Sequence, residues 1–219
     1  AEGPKLVKEL LEADPASVKE VFAVKDWMDD NQNVLAKTDA AEISEIELEK
    51  ISQLTTPNKV LAIVKQYSTG NTIIVKDRVT LVLDDIRDPG NLGTIIRIAD
   101  WFGVDQIVCS DDSADVYNPK VVQSTMGSIA RVKIHYTNLE EWLSSQKDVR
   151  IYAAGLEGQD ITTTKKIKEG IIIIGNESKG ISPAIMNLSN VKITIPRKGK
   201  AESLNAAVAT GIILSHVLT

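Results

Sequence analysis

Three short polar stretches hold the side chains that could do chemistry. The first, at 88–97, offers the amide of Asn91 and the permanent positive charge of Arg97. The second, GNESKG at 175–180, sets Asn176 and Glu177 between Gly175 and Gly180. The third, at 197–205, carries Arg197, Lys198, Lys200, Ser203 and Asn205. Amides and hydroxyls orient a ligand, cations hold phosphate, and a carboxylate accepts a proton. No metal site is expected, because His135 and His216 stand far apart without partners at ligand spacing. The single cysteine, Cys109, sits in the apolar run 106–110 and reads as a buried strand thiol, not a nucleophile. One cysteine permits no intrachain disulfide and fits a reducing compartment such as the cytoplasm.

Each stretch also has a plain structural reading. Pro89 and Gly90 suit positions i+1 and i+2 of a type II turn, leaving Asn91 to cap the helix that follows. Arg97 can pair with Asp100 at i+3. A glycine-bounded loop between strand and helix can cradle a phosphate. Gly175 and Gly180 have the spacing of the Walker motif, but Ile181 stands where that motif needs lysine, and no G-x-G-x-x-G is present. Nucleotide hydrolysis and dinucleotide-dependent redox chemistry are therefore not expected. Ser203 is the natural N-cap of a helix running from Leu204 to the chain end.

The elements that position these stretches alternate. Strands are expected at 79–84, 105–109, 131–135, 150–154, 171–175 and 191–195, and helices at 91–103, 118–127, 138–146, 183–188 and 203–218. Such alternation implies an α/β fold with a mostly parallel sheet covered by helices on both faces. Ligands in such sheets sit beyond the carboxyl ends of the strands, where all three polar stretches fall. The last helix is apolar nearly all round, with Ala207, Val208, Gly211, Ile212, Ile213, Leu214 and Val217, so it needs burial on more than one side. Ahead of this region, the periodicity predicts helices at 4–13, 26–30 and 41–51, strands at 18–24 and 60–64, and a further short strand at 34–37. These make a small α/β unit at 1–70. A polar loop at 66–71 and a linker at 71–78 separate it from the second unit, 79–219.

The chain of 219 residues has a net charge of −5, which argues against wholesale nonspecific nucleic-acid binding. The acidity lies mostly in residues 1–80, which hold 10 basic and 14 acidic side chains. Local basic clusters survive at Lys165, Lys166 and Lys168, read as a solvated face, and at Arg197, Lys198 and Lys200. No apolar run reaches the roughly 18–20 residues that a bilayer-spanning helix needs.

Taken together, the three stretches resemble the SpoU (TrmH-like) family of RNA 2′-O-ribose methyltransferases within the SPOUT superfamily. The matching pieces are DPGNLGTIIRIADWFGV, IIIIGNESKGIS and ITIPRKGKAESLNAAVATGI, in that order and in the same strand–loop–helix settings. The N-terminal unit resembles, more loosely, the small substrate-binding domain of many members. Glu2–Gly3 followed by Leu6–Val7 looks like the middle of that domain's opening, so some upstream residues are expected to be missing.

The resemblance implies a C-terminal trefoil knot, a homodimer, and S-adenosylmethionine as cofactor. It places the cofactor against Gly175, Asn176, Gly180, Ile195 and Leu204, largely through backbone groups. It makes Asn91, Arg97, Glu177, Ser203 and Asn205 the polar site residues, and ribosomal or transfer RNA the substrate. Arg97, Arg197, Lys198 and Lys200 are then candidate RNA contacts. Two positions depart from the pattern: Ser178 replaces a common glycine, and Arg197 follows Pro196 where an apolar residue is common. A guanidinium stays protonated in proteins, so Arg97 is read as a phosphate clamp and a stabiliser of alkoxide charge rather than a base. Glu177 is the candidate proton acceptor. Ser203 and Asn205 fit orientation of the ribose or cofactor, or a structural capping role. The competing readings are a non-catalytic knotted RNA-binding protein and a SPOUT base methyltransferase.

Overall fold

The computed structural model describes residues 1–67, 70 and 72–219. Part of the loop expected at 66–71, and the first residue of the expected linker, lie outside the described residues.

The N-terminal unit is a three-stranded sheet with short helices. Its elements are α1 (Pro4–Ala13), β1 (Val18–Ala23), α2 (Lys25–Asp30), α3 (Gln32–Leu35), β2 (Ala40–Glu42), α4 (Glu45–Ile51) and β3 (Val60–Val64). The sheet order is β2-β1-β3. Two expectations fail here. The strand expected at 34–37 is helix α3, with Leu35 turned into the core. The helix expected at 41–51 begins only at Glu45, because residues 40–42 pair with β1. Ser44 starts α4 through a capping box: its side chain accepts from the Glu47 N–H, and the Glu47 carboxylate accepts from the Ser44 N–H. The S-x-x-E pattern at 44–47 carried that signal in the sequence.

The second unit is one parallel sheet of six strands, in the order β6-β5-β4-β8-β7-β9. Its elements are β4 (Val79–Asp84), α5 (Pro89–Trp101), β5 (Gln106–Cys109), α6 (Pro119–Thr125), β6 (Lys133–Tyr136), α7 (Leu139–Ser144), β7 (Ile151–Asp160), β8 (Gly170–Gly175), α8 (Pro183–Asn187), β9 (Val191–Thr194) and α9 (Ala206–Leu218). The side-chain period of two sorts each strand between two cores. Leu81, Leu83, Ile172 and Ile174 face the layer holding α5 and α9, whereas Val82, Ile171 and Ile173 face a second apolar cluster with Leu139, Leu143 and Ile185 of α7 and α8. Burial on both faces explains the largely apolar run of β4 and the four isoleucines of β8. Cys109 is fully buried, and that burial pushes its thiol far above the ordinary value, so it is a core residue.

Strand β7 runs well past its expected end at residue 154, with a register shift against β9 between Ala154 and Gln159. Gly158 permits this extension: its φ is 154°, and a Cβ there would lie 2.6 Å from the Lys192 carbonyl carbon.

The two units share the first core. Leu6, Val7, Leu10 and Leu11 of α1 belong to the same apolar cluster as Val121, Ile129 and the sheet. Arg131 ties them electrostatically, reaching Glu9 at 3.3 Å and Asp100 at 2.8 Å. The segment expected as a linker is held down: Ile73 and Val75 pack on the second core, and the Ile74 carbonyl accepts from Gln106 Nε2.

Candidate functional site

The candidate site lies at the centre of the sheet. β4 and β8 lie side by side with Asp84 opposite Gly175, so both strands end together. From β4 the chain fills one side of the sheet with β5 and β6, then crosses to the other side, where β7 and β9 lie beyond β8. A crevice beyond the carboxyl ends of such strands is where α/β sheets bind ligands. The loops at 85–88 and 176–181 line it.

The second loop folds back on itself. Asn176 and Gly180 exchange both backbone hydrogen bonds, at 3.1 and 2.8 Å. Asn176 Oδ1 accepts from the N–H groups of Ser178 and Lys179, and its Nδ2 donates to the Asp85 carbonyl at 2.8 Å. The Asn176 side chain therefore builds the loop and is not free for a ligand. Gly175 has no room for a side chain, since a Cβ would lie 2.3 Å from Gly180 C. Gly180 takes φ 71°, which glycine adopts without strain. Asp84, buried at the end of β4, accepts from the Ser182 N–H at 2.7 Å and ties the far end of this loop to that strand. Sequence reading missed Asp84, although a carboxylate closing the run VTLVLD was the available signal.

Three of the predicted polar residues meet. Asn205 Nδ2 donates to Asn91 Oδ1 at 2.8 Å, and Asn91 Nδ2 donates to Glu177 Oε1 at 2.5 Å. The direction of this relay is fixed at both ends. Asn205 Oδ1 is occupied by the N–H groups of Ala207 and Val208, so its amide nitrogen must face Asn91. Asn91 then presents its oxygen to Asn205 and its nitrogen to the carboxylate, which can only accept.

The helix starts differ from expectation in a way that creates the relay. Asn91 is not the N-cap of α5. Asp88 is, accepting from the Asn91 N–H at 2.8 Å, and Pro89 begins the helix itself in place of the expected type II turn. Asn91 is thus a third-position residue with its side chain available. Likewise Asn205, not Ser203, caps α9, which begins at Ala206 and not Leu204. Ser203 and Leu204 lie exposed in the preceding loop.

Arg97 is exposed on α5, about 9 Å along the axis from Asn91 at 1.5 Å per residue. The expected pairing with Asp100 does not form. Asp100 is engaged by Arg131 and by Ser128 Oγ, and these contacts outweigh its partial burial to hold its carboxyl below the usual range. Among the described residues Arg97 makes no ion pair, so its charge faces outward. In the third stretch, Arg197 Nη1 donates to the Ala201 carbonyl at 3.1 Å and closes the loop, while Lys198 and Lys200 project into solvent. Ile195 is half-buried just beyond β9. Beside it, Thr194 Oγ1 donates to the Leu156 carbonyl at 3.2 Å, which places the 73 % exposed Leu156 at the same strand ends. Leu156 was not foreseen, because the extension of β7 was not.

The chain's similarities agree with this geometry. Residues 78–215 match the SpoU rRNA Methylase family, and residues 1–62 match the MRM3-like substrate binding domain. A Bacillus subtilis protein named 23S rRNA (guanosine(2553)-2′-O)-methyltransferase RlmP is 31% identical over 99% of this chain and 86% of its own length. The structure of a putative RNA methyltransferase of the TrmH family from Porphyromonas gingivalis superposes with a TM-score of 0.85. It has 32% identity and covers 99% of this chain and 87% of that one. An AdoMet-bound rRNA methyltransferase from Sinorhizobium meliloti gives a TM-score of 0.84 at 31% identity, covering 99% and 85%. With Asn91, Glu177 and Asn205 joined at one sheet end and the family match spanning most of the second unit, this chain belongs to the SpoU rRNA methylase family.

Proposed function

We propose that this protein transfers a methyl group from S-adenosylmethionine to a ribose 2′-hydroxyl of ribosomal or transfer RNA. The observation that carries this reading is the Asn205–Asn91–Glu177 relay, set beside the Gly175–Gly180 loop at the switch point of the sheet. The crevice fits the cofactor: peptide groups of the glycine loop and of Ile195 supply polar edges, and exposed Leu156 and Leu204 supply apolar surface. Bound there, S-adenosylmethionine supplies an electrophilic methyl on a sulfonium centre. The residues would hold it through Gly175, Gly180, Ile195 and Leu204.

The chain's own side chains then have three tasks. Arg97 holds an RNA phosphate and offsets the negative charge that grows on the 2′-oxygen, as a charged donor in a preorganised site does. Asn91, locked between the Asn205 amide and the Glu177 carboxylate, orients the ribose with the hydrogen-bonding capacity it has left. Glu177 accepts the hydroxyl proton. Lys198 and Lys200, on the loop that Arg197 closes, steer the RNA backbone toward the crevice.

The active unit in this reading is a homodimer. Val208 on α9 is 51 % exposed and Trp101 at the end of α5 is 84 % exposed. Between them, Ile98 lies against Gly211 where the two helices cross. A second copy laid across α5 and α9 would cover this apolar surface by two-fold symmetry. The trefoil knot is part of the same reading. It is supported by α9 packing against α5, against β8 and against the turn after β7. Residues 1–70 select the RNA, 71–78 join the units and 79–219 perform the transfer. A cytoplasmic setting accords with the buried free thiol, and no described helix is long and apolar enough to cross a membrane.

Mapping of 2′-O-methyl sites in total RNA, with and without the gene, tests the proposal. One ribose position should lose its methyl group in the deletion and regain it with the intact gene. A lost base methyl would make this a base methyltransferase, and an unchanged map would leave a non-catalytic RNA binder.

A further inference from the structure

Arg97 and Asp100 stand three residues apart on α5, a spacing at which opposite charges pair along a helix. At 3.6 residues per turn, Asn91 and Asp100 leave the helix on opposite sides, about 180° apart. Arg97 lies between them, about 60° from Asp100 and about 120° from Asn91. Its side chain can therefore turn toward the relay or back toward Asp100. Arg97 is the only cation in α5, so no other residue of the helix competes for that carboxylate.

What occupies Asp100 comes from outside the helix. Arg131 closes the short turn Ser128–Ala130 and commits its whole guanidinium. Its Nε donates to both Asp100 oxygens, at 3.2 and 2.9 Å, and its Nη2 lies 2.8 Å from Asp100 Oδ2. Its Nη1 donates to Glu9 Oε2 at 3.3 Å. Ser128 Oγ donates to Asp100 Oδ2 at 2.7 Å. A two-pronged arginine contact to a carboxylate is strong, whereas an exposed pair along one helix is weak, so Arg131 wins the competition. The Asp100 side chain is only 24 % exposed. Without Arg131 it would be a poorly solvated anion with one hydroxyl donor, drawn to the nearest cation of its own helix.

We infer that Arg131 is a positioning residue for the methyl transfer: by occupying Asp100 it leaves the Arg97 guanidinium for the RNA. Arg131 touches no reacting atom and acts only through this competition for one carboxylate. The inference rests on the role given to Arg97 under the proposed function. Because Nη1 holds Glu9 of α1, the same side chain also joins the N-terminal unit to the helix that carries Asn91 and Arg97. A purely structural tie between the units is the alternative, and the two roles part on whether loss of Arg131 can be repaired by removing the Asp100 charge.

The test uses the full chain as wild type, Arg131→Met, Asp100→Asn and the double variant. Methionine keeps the unbranched stem and removes every donor. Asparagine removes the charge that draws Arg97 and keeps an acceptor for Ser128. Three quantities are measured: kcat/KM for methyl uptake by total RNA from a strain lacking the gene, the salt dependence of binding to the same RNA, and the melting temperature. Arg131→Met should lower kcat/KM roughly two- to fivefold, the share of Arg97 that Asp100 would withdraw. It should also flatten the plot of log affinity against log salt, toward the loss of one phosphate contact, about 0.7–0.9 in slope. Asp100→Asn should stay within about twofold of the wild type. The double variant should regain the wild-type rate and slope while melting as low as Arg131→Met, because the tie between the units is not restored. Arg131→Lys, which keeps the charge and loses the fork, should fall between wild type and Arg131→Met, and it serves where Arg131→Met does not fold. A double variant as slow as Arg131→Met would make Arg131 a structural tie and overturn the inference, as would wild-type rate and slope in Arg131→Met. A wild type that transfers no methyl, with the salt slopes still ordered in this way, would remove the methyltransferase reading and leave the competition for Asp100 standing. Equal slopes in all variants would overturn the competition whatever the turnover.

Discussion

Asn205 Nδ2 donates to Asn91 Oδ1 at 2.8 Å, joining the first turns of two helices whose contact residues stand 114 positions apart. Asn205 performs two tasks with one amide: its oxygen caps α9 and its nitrogen orients Asn91. The two tasks separate by substitution. Asp at 205 keeps the cap, and its charge suits a helix N-terminus. It removes the donor, however, and sets a carboxylate against Asn91 Oδ1. Asn205→Asp should therefore keep or slightly raise the thermal midpoint while lowering methyl transfer roughly tenfold, the scale of one lost hydrogen bond. Asn205→Ala should lose both activity and about 1 kcal/mol of stability. Paired melting curves and single-turnover rates distinguish the cases. Full activity in Asn205→Asp would make the relay structural.

Buried His135 gives the fold an acid limit. It is 7 % exposed on β6, and its Nε2 has no hydrogen-bond partner among the described residues. Burial, with a smaller contribution from Lys133, lowers its pKa below the ordinary value. The unfolded chain therefore binds this proton more readily than the native one, so stability rises with pH across the window. The contribution is complete above the unfolded value near 6.5 and declines as pH falls through it. Urea midpoints at pH 7.5, 6.5 and 5.5 should fall for the wild type. His135→Phe, which cannot charge, should flatten that trend, and an equal slope in the variant would place the sensitivity elsewhere.

Sequence reasoning reached the sheet, because its central strands β4, β5 and β8 are buried on both faces and read as largely apolar runs. It reached the polar loops of the candidate site because glycine, asparagine and charge interrupt those runs at strand ends. It failed at helix starts, where two polar residues a few positions apart compete to cap: Asp88 displaces Asn91, and Asn205 displaces Ser203. That competition is decided by geometry that spacing does not encode. The displaced residue at the first helix is the one freed for the site. The extension of β7 was illegible for a different reason, since its pairing depends on the backbone freedom of Gly158 and on the neighbouring β9.

The exposed apolar surface of α5 and α9 predicts the oligomeric state. Specific interfaces bury about 800 Å² per partner and are most sensitive at their apolar centre. Val208→Glu places a charge there without touching the relay, since Val208 contributes to it only through its backbone N–H. Sedimentation at micromolar concentration should show a wild-type dimer and a Val208→Glu monomer, with Trp101→Arg weakening the dimer in the same direction. A wild-type monomer that still methylates RNA would remove the dimer from the mechanism.

Arg97 separates a site residue from a surface one most sharply. Its expected structural partner, Asp100, is already held by Arg131 and Ser128, so among the described residues Arg97 has no ion pair to lose. Arg97→Ala should leave the melting temperature and S-adenosylmethionine affinity unchanged, because neither rests on the guanidinium. Methyl transfer should fall on the order of 10²–10³-fold, as when a charged transition-state donor is removed. Arg97→Lys distinguishes a clamp from a base. A clamp recovers part of the rate, since lysine keeps the charge and loses the bidentate fork, and its rate tracks the wild-type pH profile. A base would instead gain steeply toward pH 10, where the amine deprotonates. Rates of Arg97→Ala and Arg97→Lys measured between pH 6 and 10, at saturating cofactor, decide between them. Wild-type rates from Arg97→Ala would remove Arg97 from the reaction and leave it a solvated charge on α5.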